Sequence, residues 1–172
     1  MSKSVDELLF IDLKTRDFFI GKEVSNEVID QLIDDNWKGY SIAKRDLVYQ
    51  AMIVGFECVN KKGNLKEYIE EEIKNIKDGK RGNTVDLGQL NSFLDRERGV
   101  VALSLLLTIF DIDKVSLGIN DVFLTLRVLA ELGLKIIKKE VIDEKISIYR
   151  RQMEKVFSLP QLIRKGEVDC SL

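Results

Sequence analysis

The sequence predicts a mainly α-helical protein, a single-domain bundle of about six helices around a buried central helix, with a short N-terminal β-hairpin. Three observations predict it. The run Gly99–Phe110, GVVALSLLLTIF, is twelve residues without a charge in a chain that is 33% charged. It falls short of the about 20 apolar residues a bilayer span needs, and so reads as a helix buried on all sides. The chain has 1 proline among 172 residues and is rich in Leu, Ile, Glu and Lys, all of which except Ile are strong helix formers. Several segments repeat apolar residues at spacings of three and four behind capping residues.

The elements follow in order. Leu8–Leu13 and Phe18–Gly21 are short apolar runs separated by Lys-Thr-Arg-Asp and suit a small hairpin. Ser25 is placed to cap a helix to Asp35 with Val28, Ile29, Leu32 and Ile33 on its apolar face. Gly39 breaks the chain between Trp37 and Tyr40, and Ser41 caps a second, largely apolar helix to Asn60. Asn64 with Glu67 resembles a capping box for a third helix, whose Leu65, Ile69, Ile73 and Ile76 form one stripe.

Asp78 to Val85 reads as a loop. Asp86 with Gln89 then reads as the start of a fourth helix that carries the charge-free run. A fifth helix is expected to end at Gly133, with Leu134–Ile137 extended or helical. An alternative sheet would combine Leu8–Leu13, Phe18–Gly21 and Leu134–Ile137. Asp143 is expected to cap a sixth helix that reaches Phe157 and stops before Pro160. The chain therefore divides into an N-terminal arm or hairpin (1–24), a helical domain (25–165) and a flexible tail (166–172).

Composition narrows the chemistry. The chain contains 0 histidines, which removes Ser-His and Cys-His nucleophile pairs, histidine general bases and nearly all zinc sites. No catalytic, cofactor or metal motif stands out, and the expectation is a non-enzymatic protein without a cofactor. Asp111, Asp113 and Asp121 do not make a calcium loop, because Val115, Ser116 and Val122 stand where oxygen ligands and glycine are needed. Glu70, Glu71 and Glu72 point about 100° apart along a helix and cannot converge on one ion.

The 2 cysteines, Cys58 and Cys170, form no disulfide framework, which suits a reducing compartment. With no signal peptide and no membrane span, the expected location is the cytoplasm, or the host cytoplasm if the source is viral.

Two features suggest partners. Residues 135–165 carry nine basic and four acidic side chains in a chain whose net charge is −2. Within them Ile142, Ile146, Tyr149, Met153 and Val156 recur at spacings of four, three, four and three, the narrow seam of a helix that packs on a second helix. The first expectation is a helical interaction or regulatory module that self-associates through that seam or binds a protein partner.

The alternative is an RNA-binding accessory protein of viral or phage type. Its phosphate contacts would be Lys77, Lys80 and Arg81 in the basic loop, with Lys145, Arg150, Arg151 and Lys155 on the last helix. A carboxylate and metal enzyme is the third and weakest reading.

Overall fold

The structure, a computed structural model, describes residues 17–33, 44–89, 98, 101 and 119–171. The protein is mainly helical with one two-stranded antiparallel sheet. Strand β1 is Asp17–Gly21. A short helical stretch, α1, follows, with α-helix at Lys22–Val24 and Asp30–Leu32 and π-helix at Ser25–Ile29 between them. Then come α2 (Lys44–Lys62), α3 (Leu65–Lys77), β2 (Thr84–Gln89), α4 (Ile119–Ile137) and α5 (Tyr149–Arg164). A π-helical turn, Lys138–Ile142, closes α4. The charge-free run, Leu8–Leu13 and the turn around Trp37 and Tyr40 lie outside the described residues.

The core is built on α2 and α4. Both are apolar on more than one face, and on α4 every residue from Thr125 to Leu134 is buried. They cross where two glycines meet. A Cβ on Gly55 would collide with the backbone carbonyl of Leu129, and a Cβ on Gly133 with that of Ala51. Gly133 therefore does not terminate the helix as expected. Glycine weakens an isolated helix by about 1 kcal/mol, but here it lets two backbones touch, and the helix continues through Leu134–Ile137. The stripe expected on α3 is present: Ile69 and Ile73 are buried, and Leu65 and Ile76 pack against the core.

The strand at Phe18–Gly21 exists, but its described partner is far away in sequence. β1 pairs antiparallel with β2, with Phe19 opposite Asp86 and Ile20 opposite Val85. Asp86 and Gln89 thus lie on a strand and do not cap a helix. The physical reason is the partner: Val85 and Leu87 turn inward, and β1 supplies the hydrogen bonds a lone segment would lack. One extra β2 residue between the pairs Asp17–Gln89 and Phe19–Asp86 makes a bulge, where the Gly88 N–H donates to the Asp86 carboxylate at 2.8 Å.

The last helix begins later and ends later than the periodicity predicts. Asp143 to Ile148 is a turn, and α5 runs through Pro160. The helix ends in a glycine turn: Gly166 (φ 75) and Glu167 donate their N–H groups back to Ile163 and Leu162. This pattern satisfies the final carbonyls and reverses the chain.

The reversed tail lies on α2. Val168 and Cys170 are buried, and Cys170 is disulfide-bonded to Cys58 with a Cα–Cα distance of 5.6 Å. The expectation of two unpaired thiols is therefore corrected, because residues 112 apart in sequence meet when the tail folds back. A bonded pair is not what a reducing cytoplasm favours. No described helix is long and apolar enough to cross a membrane.

Candidate functional site

The turn before α5 gathers cations that the sequence spreads over several turns of helix. The Ile146 carbonyl accepts from Gln152 Nε2 at 2.8 Å, and the Lys145 N–H donates to the Ile142 carbonyl at 3.0 Å. These bonds hold Lys145, Ser147, Arg151, Lys155 and Ser158 around one pocket of about 480 Å³, which Glu154 also lines. Among the described residues, Lys145 alone of the non-glycines has a positive φ, 55°. That left-handed conformation costs an L-residue about 1–2 kcal/mol and is the place where helix ends usually carry glycine.

The neighbouring charges divide the work. Glu154 is paired with Arg150 at 3.1 Å on the outer face, and Glu140 lies 3.8 Å from Lys155. Lys145 and Arg151 are exposed, and Lys155 is half-buried.

The basic loop is arranged differently. Arg81 turns inward, in contact with Glu72 and 3.5 Å from Glu131. Lys77 lines an apolar cleft, and Lys80 is exposed. None of the described pockets combines the loop residues with those of α5. The seam residues lie against the protein's own core: Tyr149 and Val156 are buried, and Ile142, Ile146 and Met153 are half-buried and packed on it.

A second charged cluster lies on α4, around Glu131. Glu131 is only 3% exposed and accepts from the Gly21 N–H at 2.7 Å and from Arg127 Nε at 2.9 Å. With Arg81 it has three donors, which is what a buried carboxylate requires. The same neighbourhood acts on Tyr68, whose phenol is pushed up chiefly by burial and drawn back by the Arg81 charge.

A signal was available in the sequence. Arg127 and Glu131 stand four residues apart in an otherwise nearly apolar stretch, the spacing that places an ion pair on one helix face. The two residues lead along α4 from apolar Phe123 and Leu124 to charged Lys135.

Two clefts flank this stripe. The larger, about 790 Å³, is walled by Phe18, Phe19, Ile76, Phe123 and Leu124, with Lys77 and Arg127 on its polar side. The smaller, about 450 Å³, is lined by several charged residues, among them Lys22, Arg81, Arg127, Glu131 and Lys135. Asp17 at the edge of the larger cleft is hydrogen-bonded to Asp86, which holds the Asp17 carboxyl above the usual carboxylate range. Among the described residues no group of three or more Cys, Asp or Glu is placed to hold a metal ion.

No known protein family, no curated protein sequence and no solved structure matches this chain. Its class is therefore set by the fold: a mainly helical protein with a small antiparallel ribbon, closed by one disulfide.

Proposed function

We propose that this protein is a non-enzymatic helical module that binds nucleic-acid phosphates through the pocket at the start of α5. One observation carries the reading. Lys145 occupies, at a conformational cost, a helix-end position where glycine costs nothing, and it stands there beside Arg151 and Lys155. A local rule broken without a structural gain is the usual mark of a functional position. Phosphate oxygens suit the group: Lys145 and Arg151 supply charge beside the Lys155–Glu140 pair, against the one carboxylate of Glu154, and Ser147 offers a hydroxyl.

The reading has no base-specific part, and the contact it describes is to the backbone. Lys80, Arg81 and Lys77 are not needed for it, since Arg81 is spent on Glu72 and Glu131. The test is a triple charge reversal, Lys145→Glu with Arg151→Glu and Lys155→Glu, scored by anisotropy of a labelled single-stranded RNA at low salt. Binding should fall roughly tenfold or more. Unchanged binding removes the pocket from the reading.

A second reading, self-association, is favoured by Phe157, which is 54% exposed on α5 although the seam itself faces inward. Light scattering across the micromolar range tests it. A dimer that Phe157→Ser converts to monomer supports it, and a monomeric wild type removes it.

A further inference from the structure

We infer that the Cys58–Cys170 disulfide is a redox-operated latch: reduction by a dithiol frees residues 168–171 from α2 while the rest of the fold stays closed. The inference is independent of the phosphate-binding pocket, with which these residues share no member.

The bonds along the tail set where release stops. Up to its last turn, α5 is tied to α2. Arg164 donates to the Glu57 carboxylate through Nη2 at 2.8 Å and Nε at 3.0 Å, and its carbonyl accepts from Lys61 Nζ at 2.8 Å. Ile163 is buried, and Gly166 and Glu167 are bonded back into the helix.

Beyond Glu167 the kind of support changes. Among the described residues, no backbone–backbone hydrogen bond joins Val168–Ser171 to the body of the protein. The segment is held by the disulfide, by the burial of Val168 and Cys170, and by Lys139. The Lys139 ammonium donates to the carbonyl oxygens of Asp169 and Ser171. Ser171 bonds back to the Asp169 carboxylate through its N–H and its hydroxyl, within the segment itself. Lys139 is partly exposed, and contacts of that kind are weak. A segment with few apolar contacts and no backbone ladder opens at low free energy once its covalent tie is cut.

The exchange chemistry runs from the tail inward. Cys170 keeps 8% of its surface exposed, and Cys58 none. A thiolate of the dithiol therefore attacks Cys170 Sγ, the Cys58–Cys170 bond breaks, and Cys58 leaves as a thiolate that takes up a proton. The second thiolate of the reductant then attacks its partner sulfur in the mixed disulfide. Cys170 leaves in turn and is protonated, and the reductant departs as a disulfide. Two electrons pass to the protein.

The latch closes again on oxidation. Arg164 stays anchored at Glu57, next to Cys58 in the chain, and Cys170 is six residues further on. That tether spans at most about 22 Å. The two thiols therefore meet at an effective concentration in the millimolar range.

Hydrogen exchange read by mass spectrometry, on the wild type with and without excess dithiothreitol, is the test. Reduction should speed exchange of the 168–171 amides about tenfold or more, with α4 still protected and the circular dichroism spectrum unchanged. Oxidised glutathione should restore the slow rates. Cys170→Ser should show the fast amides with no reductant present.

Four results overturn the inference. Amides of 168–171 that stay slow with both thiols free would show a tail held without the bond. Loss of the circular dichroism spectrum and of α4 protection on reduction would show a structural staple. A bond that resists excess dithiothreitol in the folded protein, or a Cys170→Ser variant that does not fold, would do the same.

Discussion

Gln50, on α2, donates its side-chain amide to the carbonyl oxygen of Val156, on α5, at 3.4 Å. Val156 is four residues before Pro160, so its carbonyl is the acceptor that the proline cannot serve, having no N–H. The bond is buried, as are both residues and Pro160. A proline in a helix interior costs about 3 kcal/mol, part of it from the orphaned carbonyl. Gln50 offsets that part and ties α5 to the core in one contact.

The pair predicts a coupled response. Gln50→Leu should destabilise the wild type by about 1–2 kcal/mol, because a buried carbonyl is left unsatisfied. In a Pro160→Ala background, where the helix supplies its own N–H, the same change should cost less. Denaturant melts of the four proteins give the coupling energy. Equal costs in both backgrounds would mean that Gln50 is only a packing residue.

The glycine crossing makes a second prediction. Gly55→Ala or Gly133→Ala should each cost on the order of 3 kcal/mol or more, since the added methyl meets backbone and not a movable side chain. Gly82→Ala, with open space around it, should change stability by no more than about 0.5 kcal/mol or raise it slightly. Thermal melts of the three variants check the contrast. Comparable melting temperatures for all three would mean that α2 and α4 do not touch at these glycines.

The disulfide gives a third. It closes a loop with a sequence separation of 112, and a chain-entropy argument assigns such a closure about 4–5 kcal/mol. Cys170→Ser, or reduction of the wild type, should lower stability by an amount of that order. Mass measurement after alkylation should find no reactive thiol until a reductant is added. Two thiols alkylated in the native, unreduced protein would contradict the pairing.

Glu131 gives a fourth. Glu131→Ala removes the shared partner of Arg127 and of the Gly21 N–H, and should cost about 3–5 kcal/mol, as loss of one member of a buried ion pair does. Glu131→Gln keeps an acceptor for both and should cost less. Melting temperatures in the reverse order would show that the cluster does not depend on an acceptor at this position.

What the sequence made legible is what depends on neighbours in the chain. The stripe of Leu65, Ile69, Ile73 and Ile76 placed α3 and its inward face, and the apolar density of residues 47–59 placed α2. Features that depend on distant partners were misread. Asp86 and Gln89 fit a capping pattern, but β1 lies more than sixty residues away and turns them into a strand. The seam from Ile142 to Val156 has a regular period, yet the chain leaves the helix at Asp143 and re-enters it at Tyr149. Pro160 looked like a stop because Gln50, which supports the helix through it, is more than a hundred residues upstream.

The basic site was half legible. Lys145, Arg151 and Lys155 were named from composition, but their convergence depends on a turn that periodicity did not show. Arg150 and Arg81, equally basic in the sequence, lie outside the pocket beside Glu154 and Glu72, and within it Lys155 is paired with Glu140.

The decisive measurement concerns Lys145. Lys145→Gly should fold more stably than the wild type by about 1 kcal/mol, because glycine relieves the left-handed backbone. At the same time it should bind single-stranded RNA more weakly, and the slope of log affinity against log salt should become shallower, from about −2 for three phosphate contacts to about −1.4 for two. A variant that is more stable and binds RNA with the wild-type affinity and salt slope would contradict the assignment of this pocket to phosphate.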